Sequence, residues 1–109
     1  MIVDAFLTGS RAYGVPRADS DYDIVIRCDR KDAVEFGADL NGDTSGYPLD
    51  EHAWQVKKGA VNFILCFTDA RFQSWKDGTD KLCTIKPASR DVAKAVFIDL
   101  FKKEKACQP

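Results

Sequence analysis

Two aspartates, Asp21 and Asp23, stand at the start of a short apolar run, and they restrict the fold of this chain more than any other feature. The run, Tyr22–Cys28, is rich in Ile and Val, which predicts a β-strand. Residues two apart on a strand point to the same side, so the two carboxylates project together with roughly 6 to 7 Å between their backbones. Two anions at this spacing repel each other unless a cation joins them. The pair therefore predicts a cation site at one end of a strand.

A second apolar run, Ile2–Thr8, ends directly at Gly9 and Ser10. A glycine leaves the backbone open to close approach, and amides at the start of a following helix favour a phosphate oxygen. Mg²⁺ prefers oxygen ligands, takes one or two protein carboxylates and completes its shell with water and phosphate. Together the two runs predict a site for a metal ion and a triphosphate.

This pattern resembles the nucleotidyltransferase superfamily that includes DNA polymerase beta and, at this chain length, its minimal nucleotidyltransferases. The resemblance is carried by Gly9-Ser10, by the continuation Arg11-Ala12-Tyr13-Gly14, and by Ser20-Asp21-Tyr22-Asp23 about ten residues later. It covers about the first 26 residues closely. The remaining chain agrees with the fold only in the coarse order of its elements.

The resemblance implies an enzyme that transfers a nucleoside monophosphate from an NTP, with ATP as the expected donor, to an acceptor hydroxyl on a protein side chain or an RNA end. Asp21 and Asp23 would bind Mg²⁺ or Mn²⁺, and pyrophosphate would leave, assisted in the family by a two-metal arrangement. The implied nucleotide-binding residues are Gly9, Ser10, Arg11 and Ser20, and the implied catalytic residues are Asp21, Asp23 and Asn62.

Asn62 marks a departure from the family, whose members usually carry a third carboxylate on a later strand. Asparagine is a neutral ligand and a poor base. Three alternatives stay open: one metal suffices, the missing acid comes from Asp50 or Glu51, or the site binds a nucleotide without turning it over. The last alternative predicts an antitoxin-like binding or inhibitor module with the same fold, although retention of both aspartates argues against it.

Other polar residues have simpler interpretations. Arg11 and Arg17 could contact phosphates, but arginines beside a turn are more often solvated. His52, which neighbours Asp50 and Glu51, is more typical of a surface position than of a general base. The four cysteines match no zinc spacing, and Cys28 and Cys66 are expected as buried reduced thiols.

The periodicity predicts one α/β (α+β) domain over residues 1–109, with a small mixed sheet of about four strands and helices packed on it. Besides the two runs above, strands are expected at 52–56 and 60–67, as a hairpin around Lys57-Lys58-Gly59. Residues 41–48 are expected as a loop. One helix is expected from Asp29 to about Leu40, and a second begins at Thr68 or Asp69 and ends before Pro87. A last helix is expected from Ser89 onward, with an apolar stripe along one side.

Composition limits the partners. The chain is 45% hydrophobic and 30% charged with a formal net charge of -1, so no global electrostatic attraction draws it to nucleic acid or anionic lipid. It has no apolar stretch of the length that spans a bilayer. Its first nine residues, MIVDAFLTG, lack the basic region of a signal peptide, and a cytoplasmic location is expected.

Overall fold

The computed structural model describes residues 2–35, 46–50 and 52–106. Within these ranges the chain forms five strands and four helices. The strands are β1 (Ile2–Thr8), β2 (Tyr22–Cys28), β3 (Gly46–Asp50), β4 (Ala53–Lys58) and β5 (Val61–Cys66). The helices are α1 (Ser10–Tyr13), α2 (Arg30–Glu35), α3 (Asp69–Thr84) and α4 (Arg90–Ala106).

The five strands form one mixed sheet in the order β1-β2-β5-β4-β3. Strands β2 and β5 are parallel, and the other neighbouring pairs are antiparallel. Parallel neighbours begin at the same end of a sheet. The start of β2, with Asp23, therefore lies directly beside the start of β5, with Asn62.

Alternation along the strands gives the sheet two apolar faces. On one face Ile26, Trp54 and Leu65 pack with Ala33 of α2. On the other face Val25, Ile64 and Cys66 pack with Phe72 of α3. Helices therefore pack on both faces, and the predicted fold class is confirmed.

Helices α3 and α4 pack against each other on the α3 face of the sheet. Gly78 of α3 permits this contact, because a Cβ atom there would overlap the ring of Phe97 on α4. Both helices begin at predicted caps: Thr68 Oγ1 accepts a hydrogen bond from the Arg71 amide at 3.1 Å, and Ser89 Oγ accepts one from the Val92 amide at 3.2 Å.

The apolar stripe predicted on α4 is only partly right. Ala93 and Phe97 are buried, whereas Val92 is 40% exposed. The buried line continues to a charged residue, Glu104, whose carboxylate accepts a hydrogen bond from Arg71 Nε at 3.0 Å. The contact face of α4 therefore follows the packing against α3, which the periodicity of α4 alone does not reveal.

The sheet has one strand more than expected. Strand β3 includes Gly46 and Pro48, which belong to the segment predicted as a loop, 41–48. The prediction of a loop was wrong for these residues because glycine and proline are typical of turns. An edge strand tolerates proline, since one side of its backbone needs no ladder hydrogen bonds. The predicted end of the helix near Leu40, and Glu51, lie outside the described residues.

The hairpin between β4 and β5 is confirmed, with Lys58 paired to Val61 across a two-residue turn. Gly59 has φ 60, a conformation that favours glycine. In the part of the chain that the structure describes, no helix has the length and apolar character needed to cross a membrane.

Candidate metal and nucleotide site

A row of four polar residues crosses the sheet at the end where β2 and β5 begin. Thr8 of β1 is in register with Asp23 of β2, Asp23 with Asn62 of β5, and Asn62 with Lys57 of β4. Residues in register point to the same face of a sheet. The row therefore lies on the face that carries α3, where Thr8 Oγ1 lies 2.7 Å from Thr79 Oγ1.

Asn62 links the two aspartates predicted to bind metal. Its side-chain nitrogen Nδ2 donates to Asp21 Oδ2 at 3.2 Å and to Asp23 Oδ1 at 3.1 Å. The structure thus brings together the three residues predicted as catalytic. Their catalytic roles stay predictions, but their proximity follows from the parallel pairing of β2 with β5.

Asp23 lies against the backbone of Gly9. A Cβ atom on Gly9 would overlap Asp23 Oδ2, and Gly9 itself has φ 77. Burial raises the pKa of the Asp23 carboxyl group; the Asn62 hydrogen bond opposes this rise, and the charge of Asp21 adds to it. Asp23 is therefore a partly desolvated carboxylate, whose charged form a bound cation would stabilise.

Asp21 lies just before β2 and is more open, with 32% of its side chain exposed. The ammonium group of Lys57 lies 3.0 Å from Asp21 Oδ2. The sequence interpretation placed Lys57 in the hairpin turn and missed this contact. The signal that could have revealed it is the hairpin register, which sets Lys57 opposite Asn62 once the turn is fixed at Gly59.

An open cleft of about 900 Å³ lies over the carboxylate pair. One side is formed by the segment from Gly9 to Ser20, and the other by the start of α4 near Ser89 and Arg90. Ligand sites commonly enclose roughly 300 to 1,000 Å³, so the cleft has room for a nucleotide. Its charged and polar lining residues are Ser10, Tyr13, Arg17, Ser20, Asp21, Asp23, Asn62, Ser89 and Arg90.

Arg11 holds the loop that leads to Asp21. Its Nε and Nη2 atoms donate to the Ser20 carbonyl at 2.9 and 2.7 Å, and Nη2 also reaches the Ala18 carbonyl at 3.3 Å. The guanidinium group lies 4.1 Å from the centre of the Tyr22 ring. Arg11 is not among the described residues that line the cleft. Nucleotide binding by Arg11 stays a prediction, and the contacts observed are with the loop.

Ser20 lies in the cleft lining, as expected for a nucleotide-binding residue. Its hydroxyl accepts a hydrogen bond from the Arg17 amide at 2.8 Å, while its carbonyl accepts from Arg11. Both the backbone and the side chain of Ser20 are thus held by hydrogen bonds, directly before Asp21.

Asp50, one of the two residues considered for a third acid, lies on β3, and its backbone is far from the aspartate pair. It pairs with Ala53, which pairs with Cys66, four residues beyond Asn62 on β5. Four residues of strand span about 13 Å, so the backbone of Asp50 lies at the opposite end of the sheet. His52 lies at that end as well, because its carbonyl accepts a hydrogen bond from the Phe67 amide at 2.9 Å.

The donor set of the carboxylate pair fits one Mg²⁺ or Mn²⁺ ion. Asp21 and Asp23 offer hard oxygen ligands that converge on Asn62 and face the cleft. Magnesium commonly uses one or two carboxylates and takes its other ligands from water and phosphate. Among the described residues, no group of three or more His, Cys, Asp or Glu side chains is placed to hold a metal ion.

Two thiols lie away from the site in the sheet core. Cys28 and Cys66 are buried and free, in agreement with the sequence interpretation. Burial raises the pKa of Cys28 to about 11 and that of Cys66 to about 12. Cys83 is free and exposed, and Cys107 lies outside the described residues.

Comparisons of the chain with protein-family models, with curated proteins and with solved structures find no match. The fold is a mixed α+β domain with a pair of carboxylates at one end of its sheet. The geometry of that pair is the basis for the function considered next.

Proposed function

We propose that the protein is a magnesium-dependent nucleotidyltransferase, which moves a nucleoside monophosphate from an NTP to an acceptor hydroxyl. One observation carries the proposal: Asp21 and Asp23 converge through Asn62 in a cleft whose lining also includes Gly9 and Ser10. Together the two carboxylates form a cation site beside the part of the cleft wall, at Gly9 and Ser10, where the triphosphate would lie. The spacing of these residues also resembles the minimal nucleotidyltransferases.

In this proposal the backbone of Gly9 and the backbone and hydroxyl group of Ser10 bind the triphosphate, and Ser20 lines the same wall. Asp21 and Asp23 hold the divalent ion, which when bound neutralises the triphosphate and aligns it for attack. Asn62 orients the two carboxylates through its Nδ2 atom. The positive charges of Arg17 and Arg90 on the cleft walls add to the attraction for an anionic ligand.

The reaction forms a bond between the acceptor oxygen and the α-phosphorus of the NTP. The bond breaks between that phosphorus and the oxygen that bridges the α- and β-phosphates, and pyrophosphate leaves with the electron pair of this bond. The hydroxyl proton would leave to solvent water, since the Asn62 amide is not a base and both carboxylates would be bound to the divalent ion. The open cleft leaves space for a large acceptor, either a protein side chain or an RNA end.

We assign this activity to a reducing compartment, the cytoplasm. The buried free thiols Cys28 and Cys66 support this assignment. ATP is the first donor to test.

The test is calorimetric titration of ATP, CTP, GTP and UTP, each with Mg²⁺ or Mn²⁺, into the wild-type protein and the Asp21→Asn, Asp23→Asn double variant. We expect metal-dependent binding of at least one nucleotide to the wild-type protein and its loss in the folded variant. Transfer of label from that nucleotide to a protein or RNA acceptor follows. A folded double variant that binds and transfers as well as the wild-type protein would refute the proposal.

A second candidate is an inhibitor or binding module that uses the same fold without turnover. It is favoured by Asn62, which stands where the family carries an acid, and by Lys57, which already pairs with Asp21. This candidate predicts a stable complex with a partner protein in pull-downs. It also predicts unchanged activity in cells when both aspartates are neutralised.

A further inference from the structure

We infer that Lys57 is a built-in cation of the carboxylate site, so that Asp21 and Asp23 take one divalent ion and not two. This inference rests on the proposed function and specifies its metal requirement. It assigns a role as a resident positive charge of the site to a lysine that the sequence interpretation left in the hairpin turn.

The first support is the crowding of donors at one oxygen. Asp21 Oδ2 lies 3.0 Å from the Lys57 ammonium nitrogen and accepts a hydrogen bond from Asn62 Nδ2 at 3.2 Å. Two donors, one of them charged, thus occupy the side of Asp21 that faces β5 and β4. A divalent ion that used this oxygen would have to displace the ammonium group or lie close to it.

The second support is the balance of charge. The two carboxylates carry two negative charges, and the ammonium group of Lys57 cancels one of them. One divalent ion then leaves the cluster with a single positive charge, which suits an anionic triphosphate. A second divalent ion would add two more positive charges beside the ammonium group, where the partly buried setting screens repulsion less than water does.

The third support is that the fold fixes where Lys57 lies. Lys57 is in register with Asn62, and the two-residue turn at Gly59 and Ala60 sets that register. A slip of one residue would move the side chain to the other face of the sheet. The next residue, Lys58, points to that other face and is also exposed, so it offers a matched control of equal charge.

The experiment is calorimetric titration of Mn²⁺ alone into four proteins: wild type, Lys57→Gln, Lys58→Gln, and the double variant Lys57→Gln, Asn62→Asp. We expect one ion per wild-type chain. Lys57→Gln should bind Mn²⁺ roughly tenfold more tightly, because a competing cation is gone, while Lys58→Gln should match the wild type. The double variant, with three carboxylates and no ammonium group, should bind two ions.

Each contrary result has its own meaning. Two ions in the wild-type protein, or equal changes in the two lysine variants, would overturn the inference and leave the proposed activity standing. One ion without any nucleotide binding or transfer would overturn the activity and leave the role of Lys57 standing. No ion in any of the four proteins would overturn both. If the double variant does not fold, the comparison of Lys57→Gln with Lys58→Gln decides, since Lys57 is 60% exposed and its replacement disturbs no core contact.

Discussion

The α-carbon of Gly9 lies so close to Asp23 that a methyl group on Gly9 would overlap the carboxylate oxygen Oδ2. This contact joins the end of β1 to the start of β2, which are paired through Thr8 and Asp23. It means that the residue at position 9 sets the position of the carboxylate as well as the path of the chain.

Gly9→Ala should therefore abolish Mn²⁺ binding in addition to destabilising the fold. Gly9 has φ 77 and ψ -166, a region that is essentially reserved for glycine, so a side chain there costs about 1 to 3 kcal/mol, and the new methyl group displaces the Asp23 carboxylate. Urea unfolding and calorimetry measure the two effects separately. Gly59→Ala is the matched control, because Gly59 has φ 60 but a Cβ atom there meets nothing within 4 Å. If both variants lose Mn²⁺ binding equally, the Gly9 contact has no specific role.

Arg11→Lys should weaken Mn²⁺ binding even when no nucleotide is present. Lysine keeps the charge but cannot reproduce the paired Nε and Nη2 bonds to the Ser20 carbonyl, so the segment before Asp21 loosens. We expect a loss of about threefold to tenfold in affinity. Arg17→Lys, at an exposed position lining the cleft, is the control and should leave metal affinity unchanged. An effect of Arg11→Lys that appears only with nucleotide would indicate direct phosphate binding instead.

Glu104→Gln should destabilise the fold by about 3 kcal/mol in urea unfolding. Glu104 and Arg71 are each only 3% exposed at their side chains, and Ser74 Oγ donates to the same carboxylate at 3.0 Å. The substitution leaves the buried guanidinium group without that negative charge. Asp99→Asn, in the exposed pair with Lys103 at 3.2 Å, should cost less than about 0.5 kcal/mol. Equal losses would show that burial of the Arg71 pair does not determine its contribution.

The buried thiols predict a loss of stability at alkaline pH. The pKa values of Cys28 and Cys66 are about 11 and about 12, above the value of 9.0 for a free thiol. Above pH 9 the unfolded chain ionises these thiols and the folded protein does not, so the free energy of unfolding falls as pH rises toward the folded-state values. Below pH 9 this contribution is fully retained.

Urea unfolding between pH 8 and pH 11 tests this expectation, with Cys66→Ala as the reference. The wild-type protein should lose stability more steeply than the variant above pH 9, by up to about 1.4 kcal/mol per pH unit. At pH 8 a thiol reagent should modify exposed Cys83 and leave Cys28 and Cys66 unmodified in the folded protein. Parallel slopes for the two proteins would contradict the assignment of a raised pKa to Cys66.

Much of the fold could be predicted because its signals are local. Apolar runs mark β1, β2 and β5, and a threonine cap marks the start of α3. Strand β3 was missed because Pro48 indicates a turn unless the strand is known to lie at a sheet edge. The site likewise combines a feature that is local in the sequence with one that depends on the tertiary fold. Asp21 and Asp23 are a local pattern, whereas the contact between Lys57 and Asp21 depends on strand order, which no single segment contains.

Asn62→Asp should make the stability of the protein depend on a divalent ion. The amide of Asn62 donates to both aspartates, so an aspartate there replaces two hydrogen bonds with repulsion among three carboxylates. Without metal we expect the free energy of unfolding to be about 1 to 3 kcal/mol lower than that of the wild-type protein. Saturating Mn²⁺ should stabilise the variant more than it stabilises the wild-type protein, because a bound ligand stabilises the folded state. Thermal unfolding with a chelator and with Mn²⁺ measures both. Asn62→Ala is the control, since it removes the hydrogen bonds without adding charge and should gain no more from Mn²⁺ than the wild type. An Asn62→Asp variant insensitive to Mn²⁺ would argue that the carboxylates do not form a metal site.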